Sequence, residues 1–317
     1  MNNKIILIIL LLLLIIIRIN YSYNNIIKKE FNIIKKEFNI APVKNCFGFP
    51  HFVHTIEYFY NALDFAVEEQ NEKINIILPK SYKSNYVNKF LEIANKKIKN
   101  INFTKRKINV KYLNYEFNHD KELFEANFKY QNNINKLMAY KWFRNINTPN
   151  KLRELFIDKK FKNNNEIKIG IIDRKKDRNI TNLNEIINYL KINFNYDINV
   201  TYFNDKDFEY QINFFYDHKI IISCHGAELC SIPFAKNNSL IIECCSNFWH
   251  PYYYFPGLSL TSGKTHVMTG FNNNNFPKFY NISKNKDASL YLDKFKIISI
   301  IKKYLSNQLD NKIIHIF

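Results

Sequence analysis

The sequence predicts an α/β protein built from two Rossmann-like halves, and three observations carry that prediction. Short Ile-rich apolar runs alternate with segments of helical periodicity on both sides of a polar stretch, Lys162-Asn163-Asn164-Asn165. Two of the runs, Ile220-Ile221-Ile222 and Leu240-Ile241-Ile242, are apolar throughout, as strands buried on both faces of a parallel sheet are. A sharp His225-Gly226-Ala227 turn follows the first of them. Open α/β sheets place their ligands at such carboxyl ends of strands.

Taken in order, the chain opens on Ile5–Ile17, an unbroken Ile/Leu run between Lys4 and Arg18. The run is short for an average membrane span and fits a signal-peptide core or a short signal-anchor. Arg18-Ile19-Asn20-Tyr21 is bulky and offers no small-x-small cleavage pattern, so residues 1–22 are predicted to be an uncleaved signal-anchor. That makes the chain a single-pass type II membrane protein on the lumenal face of the ER/Golgi secretory pathway, although Lys4 and Arg18 do not themselves set the orientation. A tandem repeat follows, IIKKEFN at Ile26–Asn32 and again at Ile33–Asn39. Its heptad spacing of apolar residues with Lys and Glu between them predicts a helical stem over 23–41.

Ala41-Pro42 marks the start of the globular part. The periodicity predicts a helix over Val53–Gln70, a strand over Ile74–Leu78, a helix over Tyr86–Ile98 and a strand over Ile108–Leu113. Glu122–Phe156 reads as mostly helical, with a break at Thr148-Pro149. The second half alternates more cleanly: strand Ile167–Ile172, helix Asn184–Asn193, strand Ile198–Phe203, helix Phe208–Tyr216, strand Ile220–Ser223 and strand Leu240–Glu243. The predicted domains are 42–160 and 161–317, facing each other across a cleft that would suit a two-part substrate.

At 317 residues the chain accommodates two domains with separate cores. Lys and Arg number 46 against 28 Asp and Glu, a formal charge of +18, which is compatible with a nucleic-acid partner. The excess is spread along a chain rich in Ile, Asn, Lys, Tyr and Phe, with no basic and aromatic stripe, so no nucleic-acid partner is predicted. The five cysteines (Cys46, Cys224, Cys230, Cys244 and Cys245) form no CxxC pair. That argues against a zinc site or a disulfide framework, and Cys224 and Cys244 are read as small buried hydrophobes.

The residues with chemistry cluster after predicted strands. Gly226 allows close backbone approach, and the N–H groups of Gly226 and Ala227 at the start of the next helix suit an anion. The bland alternative is an ordinary strand–turn–helix connection. Arg174 and Arg178 follow the first strand of the second half and could grip phosphate oxygens at the same rim; the alternative is a solvated basic loop. Glu243, at the end of its strand, is placed to accept hydrogen bonds from ribose or sugar hydroxyls. Asp205-Lys206-Asp207 has the spacing of a DxD metal motif but precedes a predicted helix, so it is read as an N-cap. No metal site is predicted.

Three stretches, in this order, resemble glycosyltransferase family 61. His51-Phe52-Val53-His54 resembles the His-bearing start of that family's N-terminal domain. Arg174, Arg178, Ile180, Asn182 and Glu185 resemble its Arg–spacer–Arg–Ile–x–Asn–x–x–Glu segment, and Phe208–Glu243 resembles its HGA core. Trp249–Tyr254 and Gly263–His266 are similar to the segment after that core. The resemblance spans roughly Phe47–Met268. It implies a GT-B architecture and inverting transfer from a nucleotide-sugar, UDP-linked (UDP-GlcNAc or a UDP-pentose), to a hydroxyl of a protein or glycan acceptor, with no cofactor and no metal requirement. For such a transfer His54, His51 and Glu57 are the candidate bases. Arg174, Arg178, Gly226 and Ala227 would stabilise the leaving diphosphate, and His225 would orient the loop or touch phosphate. The chain departs from the family where Gly-Leu-Thr-Asn usually follows HGA: it has Glu228-Leu229-Cys230-Ser231. Thr55 and Ile56 replace acidic residues that some relatives carry. These departures sustain an alternative, a catalytically decayed glycosyltransferase-fold binding protein.

Overall fold

The computed structural model describes residues 37–42, 52–68, 73–77, 85–98, 101–104, 115–117, 123–157, 166–246, 253–270 and 287–317. The predicted signal-anchor at 1–22, His51 and the strand predicted at Ile108–Leu113 lie outside the described residues. Among the described residues no helix is long and apolar enough to cross a membrane.

The first half forms a four-stranded sheet. Its elements are β1 (Glu37–Pro42), α1 (Phe52–Glu68), β2 (Lys73–Ile77), α2 (Asn85–Lys97), β3 (Ile101–Thr104) and β4 (Tyr115–Phe117). The strand order is β3-β2-β1-β4, every pair parallel, which is the order of a mononucleotide-binding half. Strand β1 corrects the C-terminal end of the predicted helical stem. Glu37-Phe38-Asn39-Ile40 also alternates with period two, and pairing with β2 and β4 gives its backbone partners that a lone two-heptad helix lacks.

A second correction concerns Glu122–Phe156. Most of this stretch is an antiparallel hairpin, β5 (Leu123–Tyr130) and β6 (Asn133–Tyr140), and only α3 (Thr148–Phe156) is helical. The helix formers Lys, Glu, Leu, Met and Ala are outvoted by alternation at Phe124, Ala126, Phe128 and Tyr130, of which Ala126 and Phe128 are buried. Gln131 closes the turn in the left-handed region, φ 51°. Thr148-Pro149 begins α3 rather than interrupting a helix, with Pro in the first turn. Asp64 of α1 anchors the turn before it, accepting from the Arg144 and Asn145 N–H groups and the Thr148 hydroxyl.

The remaining elements are β7 (Lys168–Asp173), α4 (Leu183–Asn193), β8 (Asp197–Tyr202), α5 (Phe208–Asp217), β9 (Ile220–Cys224), a 3-10 segment Ala227–Phe234, β10 (Leu240–Cys244), α6 (Phe255–Thr261), β11 (Thr265–Thr269), α7 (Lys294–Leu305) and β12 (Ile313–Ile316). With the hairpin they build an eight-stranded sheet of order β6-β5-β12-β11-β10-β9-β7-β8. Only β5–β6 is antiparallel. Sheet membership therefore changes between β4 and β5, well before residue 160.

Both faces of the centre of the larger sheet, strands β7, β9 and β10, are covered, as apolar parallel strands require. Ile169, Ile171, Ile220, Ile222, Leu240 and Ile242 pack with Ile186 and Leu190 of α4 and Ile297 and Ile301 of α7. Ile172, Ile221 and Ile241, pointing the other way, join Phe208 and Phe215 of α5, Phe234, and Trp142. The two sheets meet through side chains: Tyr60 of α1 donates to the Cys230 carbonyl at 2.8 Å, and the Tyr86 hydroxyl of α2 lies 3.0 Å from Ser231 Oγ.

Lys264 is fully buried, donates to the Ser262 carbonyl at 2.8 Å and forms no ion pair among the described residues. Burial, reinforced by Arg153 and Lys219, holds its ammonium well below the ordinary lysine range. A depressed lysine binds fewer protons folded than unfolded, so stability rises with pH across the window between its folded value and about 10.4. Lys264→Met is expected to raise the melting temperature, by about 2–4 °C per kcal/mol recovered, and to flatten this pH dependence. Melting curves across that window check it; unchanged curves would count against a neutral buried lysine.

Candidate functional site

The order of the larger sheet reverses between β7 and β9: from β7 the chain adds β8 on one side, and from β9 onward the strands add on the other. Loops that leave the carboxyl ends of strands at such a switch point diverge and open a crevice. Here they are the Arg174–Arg178 loop after β7 and the His225-Gly226 turn after β9. The structure thus brings together two segments that lie far apart in the chain.

The first loop is held by Asp173, whose Oδ1 accepts from the Ile180 N–H at 2.8 Å and whose carboxyl burial pushes up. Arg178 has a left-handed backbone, φ 60°, which costs a non-glycine residue about 1 kcal/mol. Its N–H donates to the Asp287 carbonyl at 3.0 Å and its Nη1 to the His225 carbonyl at 2.8 Å. The guanidinium therefore ties the two loops together. Burial first, and then the charge of Arg174, lower its pKa. Two mutually repelling cations at one rim favour an anion between them.

Arg174 faces Glu228, with Nε 3.4 Å from Oε1. Arg174 Nη1 and Glu228 Oε2 are buried and find no hydrogen-bond partner among the described residues. Gly226 makes this possible: a methyl group there would collide with the Glu228 carboxylate and stand 3.2 Å from Arg174 Nη1. No acceptor among the described residues takes the Gly226 or Ala227 backbone N–H.

His225 is set by a buried relay. Its N–H donates to the Cys244 carbonyl at 2.8 Å, and its Nδ1 bonds Glu243 Oε1. The other oxygen of Glu243 lies 2.9 Å from His266 Nε2, and His266 Nδ1 lies 2.7 Å from Ser259 Oγ. Burial alone would raise the Glu243 carboxyl, but the two imidazoles, His225 foremost, outweigh it and hold it at about 2. Ionised, Glu243 only accepts, so His225 donates from Nδ1 and His266 from Nε2. This corrects the sequence reading of Glu243 as a hydroxyl-binding carboxylate. It is fully buried with both oxygens taken, and it positions His225 instead. Cys245 lies beside the same carboxylate, the His225, Glu243 and Cys245 donor atoms falling within 4.8 Å of one another. Burial pushes the Cys245 thiol up, so a cation here would have to displace protons that already satisfy the group.

The candidate bases are placed unequally. His51 lies outside the described residues, and for His54 the structure describes only the backbone, on α1. Glu57, one turn further along α1, is buried and accepts from the Tyr254 hydroxyl at 3.0 Å. Tyr254 packs against Phe255, whose ring centroid is 5.2 Å from that of His225. A cavity of about 190 Å³ lined by Thr269, Gly270, Tyr291, Leu292, Asp293 and Lys296 opens after β11, the strand beside β10.

Other residues singled out in the sequence are architectural. Asn182 exchanges hydrogen bonds with the Leu292 backbone, and Glu185 pairs with Lys294 Nζ at 2.6 Å, so this half of the motif latches the segment leading into α7. Asp207 caps α5, accepting from the Tyr210 N–H at 2.8 Å. Cys224, Cys230, Cys244 and Cys245 are buried free thiols. Sequence reasoning missed Arg153, buried and donating to the Pro233 carbonyl at 2.8 Å at the end of the 3-10 segment. It also missed the His266–Glu243 pair, which joins neighbouring parallel strands two register positions apart, His266 standing opposite Ile241 and Glu243 opposite Met268.

A family model described as Glycosyltransferase 61 matches residues 18–242, more than half of the chain. The match takes in both rim loops and stops one residue before Glu243. No curated protein matches the chain.

Proposed function

The chain belongs to glycosyltransferase family 61 and is a glycosyltransferase; from that premise we propose a membrane-anchored, inverting enzyme of GT-B type that moves a sugar from a UDP-linked donor to a hydroxyl of a protein or glycan. The observation that carries the donor-site reading is the meeting of the Arg174–Arg178 loop and the His225-Gly226 turn at the switch point of the larger sheet.

In this reading the donor diphosphate lies across that rim, with its nucleoside towards the cavity beyond β11. Arg174 and the Gly226 and Ala227 N–H groups face the charge that grows on the leaving diphosphate as the anomeric bond breaks. His225, fixed in tautomer by Glu243, supplies a ring nitrogen to the same region. The acceptor hydroxyl attacks the anomeric carbon from the face opposite the leaving group and passes its proton to a base on the α1 side, where His51, His54 and Glu57 are the candidates. The Ile5–Ile17 run supplies the anchor, and the donor and acceptor are the only partners the reading needs.

The test presents the full-length chain with UDP, UDP-GlcNAc, UDP-xylose and UDP-glucose. At least one UDP-sugar is expected to raise the melting temperature and to be hydrolysed or transferred, releasing UDP. If none stabilises the chain and none is consumed, the UDP-sugar reading fails.

A further inference from the structure

We propose that Glu228 makes the site distinguish an intact nucleotide-sugar from the free nucleoside diphosphate, by repelling the terminal phosphate of the latter and accepting a hydroxyl hydrogen bond from the sugar of the former; this rests on the donor-site reading above. Three features of the rim lead there. Glu228 Oε1 stands 3.4 Å from Arg174 Nε, longer than the roughly 2.7–2.9 Å of a charge-assisted hydrogen bond. The carboxylate thus occupies the position of an anion on Arg174 without consuming its donors. Each side chain also keeps a buried atom with no partner among the described residues, a donor on Arg174 and an acceptor on Glu228. Buried groups of this kind are costly unless something satisfies them. Finally, Gly226 leaves the space into which the carboxylate folds.

A ligand that satisfies both atoms must present an acceptor to Arg174 and a donor to Glu228. A phosphate ester with a neighbouring sugar hydroxyl does so. A free diphosphate presents only acceptors and carries an additional negative charge on its terminal phosphate, next to a carboxylate that half-buried surroundings screen poorly. Once the sugar has left, Glu228 turns from a hydrogen-bond partner into a like charge, and its pairing with Arg174 competes with the product. The same residue would thus favour the substrate and speed release of the nucleotide.

Calorimetric titration of the full-length protein with UDP, UDP-GlcNAc and UDP-xylose tests this, comparing the unmodified chain with Glu228→Gln and Glu228→Asp. Glu228→Gln keeps the shape and removes the charge. It is expected to tighten UDP about tenfold, change the bound UDP-sugar less than about threefold, and lower the inhibition constant of UDP to match. Glu228→Asp keeps the charge and is expected to retain the original preference, which separates charge from packing. If UDP and the UDP-sugar bind but Glu228→Gln leaves their ratio unchanged, the proposal is wrong while the donor site stands. If none of the three ligands binds the unmodified chain, the donor-site reading fails and this proposal with it.

Discussion

Glu243→Gln should lower turnover by roughly 10²–10⁴-fold with the fold retained, the range seen when a buried carboxylate that sets a histidine tautomer is neutralised. The amide offers an acceptor to only one of its two imidazole neighbours and presents N–H to the other, so either His225 or His266 must change tautomer or turn away. Glu243→Ala removes both hydrogen bonds and should also cost about 3–5 kcal/mol of stability. Turnover with UDP release as the readout, alongside thermal melts, separates the two variants. A Glu243→Gln enzyme within threefold of the original would remove His225 orientation from the mechanism. Acid stability gives an independent readout. The folded Glu243 carboxyl lies below its ordinary value, at about 2, so its contribution is complete above the unfolded carboxylate range and is lost as pH falls through that range towards 2. The glutamine variant should lack this part of the acid limb.

Arg174→Ala is expected to lower kcat/KM by roughly 10²–10³-fold, the loss typical of removing one group that faces developing charge on a leaving atom. Arg174→Lys should restore only part of it, because an ammonium lacks the planar fork that meets two phosphate oxygens. Donors with more acidic leaving groups should suffer less, since less charge then needs stabilising. Steady-state rates with a UDP-sugar and with a more reactive glycosyl donor check both statements. A loss below threefold, or one equal for both donors, would move Arg174 out of the leaving-group site. The alanine variant also leaves Glu228 buried without its cation, so a modest fall in melting temperature should accompany the kinetic loss.

The parts of the fold that were legible in the sequence are those where both sheet faces are buried. Ile220–Ile222 and Leu240–Ile242 can satisfy no other periodicity, and the turn after the first run carries the only glycine nearby. The Arg174–Arg178 loop was legible for the same reason, since it directly follows such a strand. Residues 123–140 were not, because Glu125, Lys136, Leu137 and Met138 favour helix locally while the decisive contact, β5 against β12, joins residues far apart in the chain. Glu243 was placed on the right strand and given the wrong task. A carboxylate at a strand end is indistinguishable in sequence from one facing ligand until His225 and His266 are brought to either side of it. Asn182 and Glu185 were grouped with the arginines through the family resemblance, yet their partners, Leu292 and Lys294, lie more than a hundred residues downstream.

The Tyr60–Cys230 and Tyr86–Ser231 contacts bear on how the enzyme could breathe. Both hydroxyls reach from helices of the smaller sheet into the stretch that immediately follows the His225-Gly226 turn. A swing of that sheet about a distant hinge cannot leave the turn behind; it must drag it or break two buried hydrogen bonds. Motion of the smaller sheet and position of the His225-Gly226 turn are in this sense mechanically geared, and the gear teeth are Cys230 and Ser231.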